Sequence, residues 1–463
     1  MPSEELSEQT KRIFIDFVQM KSFADDPLIL ADGDGIYVTD VDGRRYIDGL
    51  SGVMVCNLGY KNQRIIDAIT DQLQRLHFSM PMYATNEPAL ELAQRLINIT
   101  PPQFNTMKLL SGGSEVTEAA MKISRQYHRQ TGKPHKYKVI SRYWSYHGGT
   151  MGSLAASGGA SRKQFYEPYG TGYIHVPPPF CYRCPYGLEY PSCEVACASV
   201  VEEFIKGEGP DTVAAFIAEP VIVSGDGFVV PPDDYFPKIR EICDRYDVLL
   251  IYDEIITGFG RLGAMWGAET VGAWPDIIAA GKGMSAGYYP LSAVLFSDRV
   301  AQAFSGEDAD LVQYHAGHTY GGNPVAGAAG VAAIDQLLEG DYPEKVRELG
   351  DYLMGKLENL KSKHPVIGQV TGKGLLVGIE YVRNRETHES FSDEIAFSKK
   401  VDLACRRRGL VTRPSTHVQV LAPPFITTRE QLDEIVSIID AAIEDTTCTY
   451  APELAATAGA AAS

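Results

Sequence analysis

Residues 274–290 read WPDIIAAGKGMSAGYYP, and the only charged side chain between Asp276 and Asp298 is Lys282. Ile277, Ile278, Ala279 and Ala280 form an unbroken apolar run that reads as a short buried strand. Gly281 and Gly283 flank the lysine and let the backbone turn tightly. A lone ammonium in such surroundings is costly to desolvate. Burial lowers the pKa of a lysine, and a neutral amine is a nucleophile toward aldehydes. The same residues also fit a lysine at a strand end that snorkels to water. The rest of the chain has to decide between the two.

Outward from this stretch, one unit repeats: apolar strand, glycine- or serine-bearing turn, helix. Strands are expected at 106–110, 137–140, 213–218 and 248–252, with two more near 277 and at 291–296. Helices are expected at 115–130 and 232–246, after earlier ones at 60–76 and 88–99. Unbroken apolar strands alternating with helices predict an α/β fold with a mostly parallel sheet covered on both faces. Ligands of such sheets sit outside the carboxyl ends of the strands. Before this region, residues 1–20 predict an amphipathic helix with Ile13, Phe14 and Phe17 on one face. Residues 35–50 alternate around Asp42-Gly43, which predicts a type I′ hairpin. After it, helices at 324–338 and 342–360, a strand-rich stretch at 366–381 and a last helix at 429–443 predict a smaller α+β lobe. The closing APELAATAGAAAS (451–463) reads as a disordered tail.

With 463 residues the chain can bury one large core and a smaller lobe. Its net charge of −17 argues against nucleic-acid or anionic-membrane partners, which require basic stripes. A polar start without an apolar leader core, and no uncharged run of spanning length, point to a cytoplasmic protein.

Several stretches carry possible chemistry. In LLSGGSEVTE (109–118), glycine amides, the Ser114 hydroxyl and a helix start make an anion cradle suited to phosphate, or an ordinary strand–helix turn. In VLLIYDEIITGFGR (248–261), Asp253 stands where a buried strand runs out. Its apolar neighbours favour a specific cationic partner, such as a protonated ring nitrogen. Gly258, Gly260 and Gly263 form a G-x-G-x-x-G, but the helix that a dinucleotide site needs does not follow. Residues 283–287 (GMSAG) fit a nucleophile elbow around Ser285, yet neither the strand before it nor the helix after it is present. Tyr146 and His147 fall at a loop, where aromatic rings either stack on a planar cofactor or pack on the sheet edge. Glu219 ends a strand and is ambiguous alone. His315 and His318 lack a carboxylate ligand nearby in sequence, so no metal is expected there. Cys181, Cys184, Cys193 and Cys197 have the spacing C-x2-C-x8-C-x3-C. That spacing fits zinc or an iron–sulfur cluster, but its short middle gap and loop-like flanks favour reduced surface thiols, or a disulfide under oxidising conditions, and no metal is assigned.

Taken together, these pieces resemble the class III (ω-)aminotransferases, pyridoxal 5′-phosphate enzymes of fold type I. Within them the chain is most similar to the ω-amino acid/amine:pyruvate transaminases. The resemblance runs from VxDxxGxxYxDGLSG (38–52) to LVTRP (410–414). Its most specific part is LLIYDEIITGFGR followed by Lys282 in PDIIAAGKGMSAGYYP. It implies a large cofactor-binding domain at 61–325 and a small domain built from 1–60 and 326–450, with 451–463 as tail. Lys282 is then the Schiff-base lysine and proton carrier, and Asp253 keeps the pyridine nitrogen protonated so that the ring acts as an electron sink. Ile255 and Tyr146 lie on the two ring faces, with His147 also at the cofactor. Gly113 and Ser114 hold the phosphate, and Glu219 lies near the cofactor or pairs with an arginine. Thr319 reaches the phosphate of a neighbouring subunit, which implies a homodimer with shared sites; further pairing into a tetramer stays open. Arg413 matches the mobile arginine that grips a substrate carboxylate. Met54 stands where related enzymes often carry tryptophan, and Met82, Tyr83 and Trp144 are pocket candidates by position. The implied reaction moves an amino group from a primary amine or ω-amino acid to pyruvate or a similar 2-oxo acid, by a ping-pong mechanism. Taurine- or diamine-specific transfer, decarboxylating transfer and an internal amino shift are the alternatives. The four-cysteine loop is not part of the general family pattern.

Overall fold

The computed structural model of the chain describes residues 4–223 and 228–455. Residues 456–463, most of the expected tail, lie outside the described residues, as do 1–3 and 224–227.

The chain opens with an antiparallel meander of β1 (Leu30–Asp34), β2 (Tyr37–Asp40) and β3 (Arg45–Asp48). The turn between β2 and β3 is not type I′. Gly43 has φ 81°, but Asp42 does not share its positive φ, whereas type I′ requires it at both central residues. The Asp40 carboxylate instead accepts from the N–H groups of Asp42 (3.0 Å) and Arg44 (2.9 Å) and wraps a longer loop.

The central sheet contains β4 (Phe104–Leu110), β5 (Lys138–Arg142), β6 (Tyr173–Val176), β7 (Val213–Ala218), β8 (Leu249–Asp253), β9 (Ile277–Ala280) and β10 (Ser292–Ser297). Its order is β4-β10-β9-β8-β7-β5-β6, and only β10 runs antiparallel to its neighbours. Every residue of β7, β8, β9 and β10 is buried. This is why these strands read as continuous apolar runs: helices cover both faces.

The two ends of the chain meet. β13 (Leu410–Val411) adds in parallel to β3, with Leu410 opposite Ile47. Near it, β11 (Ile367–Lys373), β12 (Leu376–Tyr381), β14 (Arg413–Ser415) and β15 (Val418–Leu421) form a second four-stranded sheet in the order β11-β12-β15-β14. Side-chain caps start the neighbouring helices. Asn62, Asn86 and Asn323 each accept from a first-turn N–H, and Thr428 pairs reciprocally with Gln431.

The glycine-rich 258–263 stretch is a structural joint. Buried Arg261 donates to the carbonyls of Leu375 (3.0 Å) and Pro423 (2.8 Å), to Ser51 Oγ (3.1 Å) and to Asn57 Oδ1 (2.7 Å). One guanidinium thus ties the N-terminal segment to the C-terminal strands behind β8.

Three further sequence readings need correction. Residues 1–20 are not one helix: helices Glu4–Thr10 and Met20–Asp25 flank a non-helical stretch. Phe17 takes φ 60° and breaks the periodicity. Phe14 meets no core and is 91% exposed. Strand β6 and helix Ala196–Glu208 were missed. The cysteine flanks are therefore not all loop, since Cys197 lies inside that helix. Finally, His318 does have a carboxylate neighbour, Glu115 at 3.9 Å, contributed by another element.

Candidate active site

Strands β4, β5, β7, β8 and β9 are mutually parallel, so their carboxyl ends open on one side of the sheet. The residues just beyond them converge there. Gly113 and Ser114 follow β4, Tyr146 and His147 follow β5, Glu219 follows β7, Asp253 ends β8, and Lys282 follows β9. All of these, with Ile255, Gly148, Val221, Val223, Ile256 and Thr257, line one cavity of about 200 Å³.

Lys282 takes φ 43°, a left-handed conformation that a side-chain-bearing residue adopts at a cost. It is half-buried and lines the cavity. Burial lowers its pKa to about 8, with Asp253 pulling it back up and Arg413 pushing it further down. The neutral form of this amine is therefore reached far more easily than that of an ordinary lysine and predominates above about pH 8.

Asp253 is 4% exposed. One oxygen accepts from the Ile255 N–H at 3.2 Å, and the other lies 2.8 Å from His147 Nδ1. Burial works against a proton on His147, yet Glu219 and Asp253 outweigh it and hold the ring above the usual histidine range. His147 Nε2 is buried without a hydrogen-bond partner. Glu219 accepts from the Tyr146 N–H at 2.9 Å and from Arg142 at 3.1 Å, so it does pair with an arginine. Arg142 itself, fully buried, had no signal in the sequence beyond its place at a strand end.

Around Ser114 the backbone folds closely. The Gly149 N–H donates to Ser114 Oγ at 2.9 Å. At Gly148, with φ 137°, a Cβ would stand 2.5 Å from Ser114 Oγ and 2.4 Å from Ser153 Oγ. A Cβ on Gly113 would come within 3.0 Å of Ile255 Cδ1. The helix that starts at Gly113 runs 18 residues, and the Glu115 carboxylate accepts from the Gly112 N–H at 3.1 Å.

Arg413, on β14, is half-buried, and its charge acts on both Lys282 and Tyr146. Burial and the nearby Arg162 lower its pKa. The remaining candidates are not brought to the cavity in the single chain. Thr319 is exposed; Met82 and Tyr83 are 79% and 82% exposed. Met54 is buried behind the wall, in a cluster with Val221 and Val223. Trp144 packs edge-on against Phe180, with ring centroids 5.3 Å apart. Ser285 donates to the Tyr289 carbonyl at 2.6 Å, which occupies the hydroxyl a nucleophile elbow would have to free.

An amine that is readily neutral, a buried carboxylate across the cavity, a helix N-terminus lacking side-chain bulk and an apolar wall at Ile255 form a donor set that fits pyridoxal phosphate. Comparison with known proteins agrees. Residues 21–443 match the aminotransferase class-III family, and the chain belongs to it. A probable aminotransferase of Mycobacterium tuberculosis is 38% identical, covering 97% of this chain and 96% of its own. A taurine–pyruvate aminotransferase of Bilophila wadsworthia is 35% identical over 93% of this chain and 95% of its own. An amine transaminase from an uncultivated Pseudomonas species, solved in its PLP-bound form, superimposes with a TM-score of 0.91 at 33% identity. It covers 94% of this chain and 99% of that one. The protein is thus an aminotransferase of fold type I that uses pyridoxal phosphate and acts on amine and oxo-acid substrates. No helix among the described residues is long and apolar enough to cross a membrane.

Proposed function

We propose that this aminotransferase moves an amino group from a primary amine or ω-amino acid to pyruvate by a ping-pong cycle. The observation that carries the reading is the pairing of a buried amine, Lys282 at about 8, with the buried Asp253 carboxylate in one cavity. When bound, the cofactor supplies a carbonyl that condenses with amines and a ring that accepts electron density. Lys282 Nζ would hold the cofactor through that carbonyl and, as a neutral amine, would move a proton at the substrate carbon. Asp253 holds a proton on the ring nitrogen, and His147 orients the Asp253 carboxylate through the 2.8 Å contact. The amides at Gly113 and Ser114 would bind the phosphate, and Ile255 and Tyr146, which line the same cavity, would hold the ring between them. Thr319, exposed in one chain, completes the phosphate site of a partner in a homodimer.

Arg413 and Arg162 near the cavity support substrates that carry an anionic group at one stage of the cycle. Pyruvate meets that need in one half-reaction. A carboxylate or sulfonate donor meets it in the other, in keeping with the taurine–pyruvate relative. Steady-state rates with an amine and pyruvate should give parallel double-reciprocal lines. Intersecting lines would remove the ping-pong reading, and transfer only to 2-oxoglutarate would remove pyruvate.

A further inference from the structure

Amino transfer makes no use of the four-cysteine segment. Cys181 opens a single 3-10 turn (Cys181–Arg183), with Cys184 directly after it. The Gly187 N–H then donates to the Cys184 carbonyl at 3.0 Å, and Gly187 takes φ 64°. On the opposite side, Cys193 precedes the 13-residue helix Ala196–Glu208 and Cys197 sits in its first turn. The Ala196 N–H donates to the Cys193 carbonyl at 3.0 Å and joins the two. All four cysteines line the same small cavity, closed elsewhere by prolines and by Tyr186, Leu188 and Tyr190. A Cys-x2-Cys turn and a Cys-x3-Cys pair at a helix start thus border one space, and paired cysteines at such spacings are the usual mounts of a thiolate metal site.

We propose that Cys181, Cys184, Cys193 and Cys197 form a tetrathiolate site for a zinc ion that staples this loop. The thiols are free, and among the described residues no three His, Cys, Asp or Glu side chains are set as a metal site. The sulfurs must therefore turn into the cavity they already line. Four S–H bonds break, four Zn–S bonds form, and the protons pass to solvent. The loop has work to do. Phe180 supports Trp144, two residues from Tyr146. Tyr182 stacks on His388 at 4.1 Å, and Arg183 donates to Glu380 on β12 at 2.8 Å. A staple here holds the site's flank against the C-terminal strands.

Holoenzyme purified without a histidine tag should carry about one zinc per chain by plasma mass spectrometry. Cys181→Ser and Cys197→Ser should each lose it while keeping the visible absorbance of the bound cofactor. Should the variants fold poorly, titrating intact wild-type protein with a mercurial should release zinc to a colorimetric chelator as these thiols react. The proposal is overturned if reduced protein dialysed against zinc salt keeps less than about a tenth of an ion per chain. It is equally overturned if both serine variants keep the metal, or if unreduced protein shows disulfides among these four. Iron with the same cysteine dependence supports the tetrathiolate cage and overturns zinc.

Discussion

His147 Nδ1 stands 2.8 Å from Asp253 Oδ2, both side chains buried. The contact joins the loop after β5 to the end of β8 and fixes a carboxylate that lines the same cavity as Lys282. Asp253→Asn keeps the shape and removes the charge. It should lower kcat by roughly 100-fold or more with an unchanged circular dichroism spectrum. His147→Ala should act in the same direction but more weakly, about 10-fold, because Asp253 keeps its charge and loses only its orientation. Equal activity of Asp253→Asn and wild type would refute the assigned role.

The Lys282 amine sets a pH dependence. Capture of the cofactor by the apo chain needs the neutral amine, so its rate should rise with pH and level off above about 8. Stability of the apo chain should respond too. Between about 8 and the ordinary 10.5 the unfolded lysine is protonated and the folded one is not. The unfolded state then binds more protons, and stability from this group rises with pH across that window. Below it both states are protonated, and the full penalty of burying the charge applies. Lys282→Met should abolish both effects, measured by stopped-flow absorbance and by denaturant melts.

Gly148 tests the close approach behind the phosphate cradle. An added Cβ meets Ser114 and Ser153 at impossible distances in a backbone conformation that L residues rarely adopt. Gly148→Ala should lower stability by about 1–3 kcal/mol and weaken cofactor retention. A wild-type melting curve with full retention after gel filtration would contradict this.

Arg413 should discriminate substrates by charge. Arg413→Ala should raise KM about 10- to 100-fold for pyruvate and for carboxylate or sulfonate donors. For an uncharged aryl-alkyl amine, the first half-reaction followed in single turnover should change little. A uniform loss for charged and neutral donors would place Arg413 in the framework rather than at the substrate.

The sequence showed much of the frame directly. β7, β8 and β9 are buried on both faces, so nothing polar interrupts them and their apolar runs stand out. Lys282 and Asp253 stood out for the same reason, the first a lone charge and the second the leading acid of an Asp253-Glu254 pair at the end of such a run. The 1–20 helix misread had a local cause: Ile13, Phe14 and Phe17 repeat at helical spacing, but Phe14 stays exposed while Phe17 turns to meet Tyr146 and Arg162. β6 escaped notice because its four residues, YIHV, are only partly buried and carry a histidine. Met54, Met82, Tyr83 and Trp144 were chosen by position along the chain, which says little about which way a side chain faces.

By itself, then, the order of residues determined the parallel α/β scaffold, the reactive amine and the acid, because burial leaves a pattern that is local along the chain. Only the tertiary structure decided the rest. It paired His147 with Asp253 and Arg142 with Glu219, made Arg261 a joint between distant segments, and gathered four cysteines around one small space. Those relationships depend on strand order and on how strand ends are aligned, and neither is written in any single stretch.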